Sequence, residues 1–311
     1  MGISVIIPTC NRKSIVLKTI SIALENLAKI TSNYEILVIN DGQDEILFEH
    51  PSVKIFKNIK KGVASARNYG VSLSAYDHLL FLDDDILLTF DAINCFMDFF
   101  TNPEKSKMYC LNVHWKFPEE LIKQCQRNNF GRFLIHINYI DMKGWMKGQT
   151  WKNNDEFIVP HLASYGLALT KENFIYVGGY NEIYPFSGFE DYDFSMRVHQ
   201  SGMKVLLNTK VCMYHNEEDR VFPENWLQRR YREGATRAVY VKLTHDPSMI
   251  IQPSFIKKVV FYIIYNLHRF LIFITRRLNI SVKFDRISFI LFNALAGAYI
   301  WKGYAEYTKK N

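Results

Sequence analysis

The 311-residue chain predicts an α/β fold, a mostly parallel sheet flanked by helices, with a basic helical tail behind it. Three observations carry that expectation. Short β-branched runs alternate with segments of helical spacing, polar residues collect where those runs end, and the positive charge gathers beyond residue 250.

Ile3 to Thr9 (ISVIIPT) is a β-branched run broken by Pro8 near its end, which reads as a first strand. Residues 14 to 29 place Leu17, Ile20, Leu24 and Leu27 at helical spacing. Tyr34 to Asn40 (YEILVIN) is a second strand running into Asp41-Gly42, and Val53 to Phe56 (VKIF) is a third. Residues 62 to 75 (GVASARNYGVSLSA) read as a helix, followed by the apolar run Leu79 to Leu82. Strands that alternate with helices in this way pair in parallel, and such sheets bind ligands outside the carboxyl ends of their strands. Thr9, Asn11, Asp41 and Asp83 to Asp85 all fall at such ends.

The run Leu79 to Leu82 drives straight into three carboxylates, Asp83, Asp84 and Asp85. Neighbouring like charges repel, and each resists leaving water unless something positive compensates it. A polar turn accounts for the composition; a divalent cation accounts for the crowding.

Five scattered cysteines, odd in number and never spaced as CxxC, speak against a disulfide framework or a zinc site and fit a reducing compartment. The start MGISVIIPT lacks the basic and long apolar regions of a signal peptide, and no repeat or low-complexity segment is evident. Net charge is +7, but residues 250 to 311 hold ten Lys or Arg against two acids, so the preceding 249 residues sum to about −1.

SVIIPTCNR, EILVINDG, GVASARNYG and FLDDD, in this order, resemble the nucleotide-sugar-binding half of family 2 glycosyltransferases of GT-A (Rossmann-like) fold. ASYGLALTKENFIYVGGYNE and GFEDYDFSMRVHQSG resemble the acceptor half. The likeness covers roughly residues 3 to 240. It implies a catalytic domain over 1–249, with a nucleotide-sugar half at 1–100 and an acceptor half at 101–249, and a helical membrane-associating tail over 250–311. The sequence departs from the family at Asn40-Asp41-Gly42-Gln43, where many members carry two consecutive acids and a serine.

The resemblance also assigns roles. Pro8, Thr9 and Arg12 match nucleotide contacts, Asp41 matches the acceptor of a nucleobase N–H, and Arg67 matches a base or diphosphate contact. A carboxylate that accepts from an N–H suits a UDP- or dTDP-sugar. Asp83 would face the ribose while Asp85 holds Mn²⁺ or Mg²⁺, strand alternation putting both on one side. Asp84, on the other side, then reads as a solvated or helix-capping acid. Asp191 in GFEDYDF matches the base that takes the acceptor proton, with Glu190 beside it, and His215 matches a further metal ligand. Blander readings stay open: a turn for Asp41, a surface arginine for Arg67, a helix start for the acids at 190 to 193, a structural His215. The Arg-rich segment 229 to 237 resembles a mobile segment near the diphosphate, or a solvated helix face.

In the tail, a helix over 255 to 277 places Lys257, Lys258, His268, Arg269 and Arg276 on one side and Val260, Ile263, Ile264, Leu267, Leu271 and Ile274 on the other. Such a helix reads as membrane-surface, or as a packed helix with a solvated basic face. The apolar run 287 to 301 is short for a span and either dips or packs. These readings combine into a metal-dependent inverting glycosyltransferase, peripheral at the cytoplasmic face of the cell membrane. Its acceptor would be a glycan or lipid-linked hydroxyl in cell-surface glycan synthesis, and no nucleic acid takes part. A retaining or nucleotidyl transferase, or a non-catalytic sugar-nucleotide binder, is the alternative.

Overall fold

The computed structural model describes residues 1–310 apart from 147, 149 and 220. The chain divides into two compact units. The first comprises Met1–Lys116, Gly148–Pro185 and Glu190–Asn216; the second comprises Phe117–Lys147, Phe186–Phe189 and Glu217–Asn311.

The first unit is a sheet flanked by helices. Its strands are β1 (Ile3–Thr9), β2 (Tyr34–Asn40), β3 (Val53–Lys57), β4 (His78–Leu82), β5 (Ile86–Leu87), β6 (Tyr109–Lys116), β7 (Glu156–Val159), β8 (Gly166–Thr170) and β9 (Lys204–His215). Among the described residues their order is β3-β2-β1-β4-β8-β6-β9-β5, with β7 also on β9. The first four strands pair in parallel, as the alternating pattern predicts. All seven residues of β1 and of β2 are buried, which is why both read as unbroken apolar runs rather than alternating ones. Pro8 sits in a central strand without harm because the pairing of β1 with β4 ends at Ile6, so no ladder bond on that side is lost.

Beyond β4 the sheet turns mixed. β8 lies antiparallel between β4 and β6, β9 runs parallel to β6, and β7 and β5 lie antiparallel to β9. The two-residue β5 matters most for the site. Ile86 stands opposite His215, and the Asn216 N–H donates to the Asp85 carbonyl at 2.7 Å. That short pairing pins the acidic turn to the end of β9.

The second unit is helical. Its two long helices, Pro223–Thr244 and Asp285–Lys310, approach so closely that a Cβ on Gly234 would lie 2.0 Å from the Ile300 carbonyl oxygen. One on Gly303 would lie 2.0 Å from that of Tyr231, so only glycine permits the crossing. Phe130, Phe133, Trp226 and Phe292 form an aromatic cluster with ring centroids 5.0 to 6.1 Å apart. The segment 229 to 237 lies inside the helix Pro223–Thr244, with Gly234, Ala235 and Thr236 buried, so the solvated-face alternative describes only part of it. Residues 287 to 301 lie within Asp285–Lys310 and bury Phe292, Leu295, Ala298 and Tyr299: the run packs.

The single helix expected over 255 to 277 is two. Phe255–Asn266 and His268–Leu278 meet at Leu267 with a bend of 71°. The local cause is polar competition at the break. Asn266 donates to the Tyr262 carbonyl at 2.7 Å, and the His268 ring lies 2.7 Å from the Tyr265 carbonyl. A single basic stripe therefore does not run the length of the segment. Helix Phe255–Asn266 has no buried residue at all. Among the described residues no single helix is long and apolar enough to cross a membrane; only this bent pair together passes that test.

Candidate active site

β4 ends at Leu82, so strand alternation does not reach the three aspartates that follow; they form a turn and take three different partners. Asp83, with 35% of its side chain exposed, accepts from Arg67 Nη2 at 3.1 Å. Asp84 is buried and accepts from Thr9 Oγ1 at 2.6 Å and from Arg12 Nη1. Asp85 is fully buried, with Arg12 Nη2 at 2.9 Å from one oxygen and His215 Nε2 at 3.2 Å from the other. Two expectations are corrected here. Asp84 is neither solvated nor a helix cap; it braces the end of β1 through Thr9 and Arg12. Asp83 and Asp85 do not share one strand face, since the turn aims them at separate clusters.

The crowding of charge is thus resolved by residues far away in sequence. Arg12 follows β1 and spans Asp84 and Asp85. Arg67, on the helix Val63–Leu73, is only 2% exposed, which removes the surface-arginine reading. Its Nη1 stands 3.0 Å from Glu190 and 3.2 Å from Asp191 while its Nη2 reaches Asp83. Burial pulls the guanidinium's pKa down, but Asp191, Asp83 and Glu190 more than offset this and hold it above its already high ordinary value. One guanidinium thus faces three carboxylates.

Glu190 and Asp191 open the helix Phe189–Gln200, so the helix-start reading is also true of them. Their environments differ. Glu190 is 1% exposed, whereas Asp191 keeps 24% of its side chain in contact with solvent. The Ser164 backbone N–H donates to Asp191 Oδ2 at 3.1 Å, and Ser164 Oγ bonds Asp191 Oδ1 and the Tyr180 hydroxyl. Burial raises the Asp191 pKa above the usual carboxylate range and Asp83 adds to this, against the opposing pull of Arg67 and Ser164.

His215 ends β9, its ring edge-on to Trp115 at 4.6 Å between centroids. Two residues further on, Glu217 opens the last segment of the second unit, buried and paired there with Arg229. The donor set at Asp85 and His215 fits a divalent ion. Two ligands about 2.1 Å from an ion and at right angles stand about 3.0 Å apart; the Asp85 oxygen and the His215 nitrogen are 3.2 Å apart.

The Asp41 carboxylate has partners of its own. Asn58 Nδ2 donates to one of its oxygens at 2.9 Å and the Gly62 N–H to the other at 3.1 Å. The turn reading holds as well, since the Gly42 N–H donates to the Asn40 side chain at 2.9 Å. The Asp41 N–H donates to the Thr9 carbonyl at 2.8 Å, which ties the ends of β1 and β2 together. Asp83, Asp85, Arg12, Arg67, Asp191, His215 and Thr9 are therefore gathered around the acidic turn, with Asp41 held beside the end of β1. Ser164 and Tyr180 were not singled out by the sequence. Both stand inside the blocks that carried the resemblance, but nothing local marks a serine as the partner of an aspartate 27 residues away.

The family described as Glycosyl transferase family 2 matches residues 4–168, and that described as N-terminal domain of galactosyltransferase matches residues 160–217. A Haemophilus influenzae relative, described as an uncharacterized glycosyltransferase, is 26% identical over 242 residues, 70% of this chain and 70% of its own. A solved mannosyltransferase from Pyrobaculum calidifontis, in complex with GDP-Man and Mn²⁺, superposes with a TM-score of 0.54 at 12% identity, covering 96% of this chain and 87% of that one. GalNAc-T7 with UDP, GalNAc and Mn²⁺ gives a TM-score of 0.50 at 17% identity, covering 69% of this chain and 43% of that one. The chain thus spans less than half of the latter protein, and at these identities the likeness concerns the fold.

Proposed function

This chain belongs to glycosyl transferase family 2 and is a glycosyltransferase of GT-A fold, and we propose that it transfers the sugar of a UDP- or dTDP-sugar to an acceptor hydroxyl with inversion, Asp191 acting as base. The observation that carries this reading is the state of Asp191. It is the partly exposed member of a buried carboxylate cluster, held through both oxygens, with a raised pKa. A fixed carboxylate of raised basicity is what proton removal from a hydroxyl requires.

In the proposed step the acceptor oxygen attacks the anomeric carbon as that carbon's bond to the diphosphate breaks. The acceptor proton passes to Asp191, and the bonding electrons leave with the nucleoside diphosphate. Asp85 and His215 would hold Mn²⁺ or Mg²⁺, which supplies Lewis-acid stabilisation of the departing phosphate charge. Asp83 faces the donor ribose, and Asp41, steadied by Asn58 and Gly62, accepts from the base N–H. Arg67 keeps the carboxylates apart in charge and fixes Asp191 relative to Asp83. Pro8, Thr9 and Arg12 shape the floor below the nucleotide.

The acceptor in this reading is a glycan or lipid-linked hydroxyl, and the protein works as a peripheral protein at the cytoplasmic face of a membrane. The support is the surface of the second unit. Phe255 and Ile256 are 80% and 75% exposed, and Val259, Val260, Tyr262, Ile263, Phe270 and Phe273 are also exposed, among Lys257, Lys258, Arg269, Arg276 and Arg277. Exposed apolar residues mixed with cations suit an anionic bilayer better than a nucleic-acid backbone.

The deciding experiment on Asp191 is Asp191→Asn. It keeps shape and most hydrogen bonding but cannot take the proton, so turnover falls by about two to four orders of magnitude with little change in nucleotide affinity. Near-normal turnover with the true acceptor would assign the base to another group.

A further inference from the structure

The second unit contains a pocket of about 440 Å³ lined from three helices: Pro223–Thr244, His268–Leu278 and Asp285–Lys310. We propose that this pocket binds the phosphate headgroup of an anionic phospholipid whose acyl chains lie along the exposed apolar residues of Phe255–Asn266 and His268–Leu278. The inference rests on the membrane reading above and adds to it a specific site. The lining combines two cations, Arg269 and Arg276, with one carboxylate, Glu224, the amides of Asn225 and Gln228 and the hydroxyl of Tyr299. Its floor is apolar, with Ile272 buried.

Guanidinium and amide N–H groups around a small cavity match the oxygens of a phosphate. Arg276 is ion-paired with Glu224, so one charge of the pocket is already answered. Arg269 has no ion-pair partner among the described residues and supplies the surplus. Burial pushes the Tyr299 hydroxyl up to about 12, which keeps it a donor at neutral pH.

The choice of a lipid rather than a soluble phosphate comes from the surroundings. Phe273 lines the pocket and is itself exposed, and Leu267 and Phe270 extend the apolar surface away from it on the same chain segment. From Phe255 to Arg286 the chain carries Lys257, Lys258, Arg269, Arg276, Arg277, Lys283 and Arg286 against Asp285. A ligand negative at one end and apolar at the other is complementary to both features. A soluble phosphate would leave the apolar surface uncovered.

The test uses the full-length protein and phosphatidylcholine vesicles doped either with phosphatidylglycerol or with oleic acid, at matched zeta potential. The site predicts tighter binding to the phosphatidylglycerol vesicles, because that phosphate, unlike the one in phosphatidylcholine, has no choline cation beside it. R269Q/R276Q should abolish that preference, while K257Q/K258Q, which removes the same charge outside the pocket, should keep it. Each surface charge accounts for about a five-fold change in affinity, so both pairs weaken binding by about 25-fold. The pocket pair should lose about ten-fold more on phosphatidylglycerol alone. Unchanged circular dichroism and unchanged donor hydrolysis confirm that either pair is folded.

Equal losses in both pairs with no preference for phosphatidylglycerol over oleic acid overturn the pocket and leave a general membrane surface. Glycerol phosphate binding as tightly without lipid overturns the lipid assignment. A protein that ignores all vesicles, or forms a dimer that buries Phe255 and Ile256, overturns the membrane reading and this inference together.

Discussion

Replacing Arg67 by Gln removes a buried cation that faces Asp83, Glu190 and Asp191 at once. The magnitude follows from how deeply each partner is buried. Arg67 and Glu190 are both almost completely enclosed, and breaking a buried ion pair by removing one member costs about 3–5 kcal/mol. Asp83 and Asp191 retain 35% and 24% side-chain exposure, and solvent screens what they lose. The effect carries a pH signature. Asp191 already has a raised pKa, and Arg67 is the main influence holding it down, so the variant raises it further. A carboxylate whose folded-state pKa lies above its unfolded value destabilises the fold at high pH. That cost disappears as the pH falls through the raised value toward the unfolded one, about 4. The variant's stability deficit should therefore be largest at neutral pH and shrink on acidification. Urea unfolding of both proteins between about pH 7 and pH 4 measures this. A deficit that stays constant across that range, or one under about 1 kcal/mol at neutral pH, would refute the argument that Arg67 works by compensating buried charge.

Asp85→Ala should abolish the enhancement of UDP-sugar or dTDP-sugar binding by Mn²⁺, and His215→Ala should weaken it less; equal affinity with and without chelator would sink the metal assignment. Ser164→Ala removes the Oγ bond that lowers the Asp191 pKa, so the acid limb of the kcat profile should move to higher pH while the nucleotide KM stays put. An unmoved limb would make Ser164 a structural residue only. Asp41→Ala should relax discrimination between uridine and other nucleoside diphosphates by about 1–3 kcal/mol, read by competition titration, and unchanged discrimination would place the base elsewhere.

The parallel half of the fold was legible because its information is local. In β1 and β2, burial on both faces forces a continuous apolar run, and the residue that ends the run marks the carboxyl edge where ligands bind. The mixed half was less legible because its order depends on pairing across long separations. Nothing in Gly166–Thr170 announces that it will insert between β4 and β6, or that two residues at Ile86 will clamp onto His215. The tail failed for a different reason. A helical wheel tests periodicity, and periodicity is blind to Asn266 and His268 reaching back to carbonyls and bending the chain at Leu267.

The acidic turn shows how the two kinds of information combine. Three adjacent aspartates read either as a polar turn or as a place where positive charge is supplied, and proximity in sequence could not say from where. The structure supplies it from Arg12 behind β1 and from Arg67 on the helix that precedes β4, placing His215 from the end of β9 against the third carboxylate. Each partner comes from a different element, so the turn is compensated only when sheet and helix are assembled in their observed order. Asp84 is the residue that makes this coupling physical. By accepting from both Thr9 and Arg12 it locks the end of β1 to the turn, and so fixes where Asp83 and Asp85 can point. An acid that reads in the sequence as solvated or helix-capping thus holds its two neighbours in separate directions: Asp83 toward Arg67, and Asp85 toward His215.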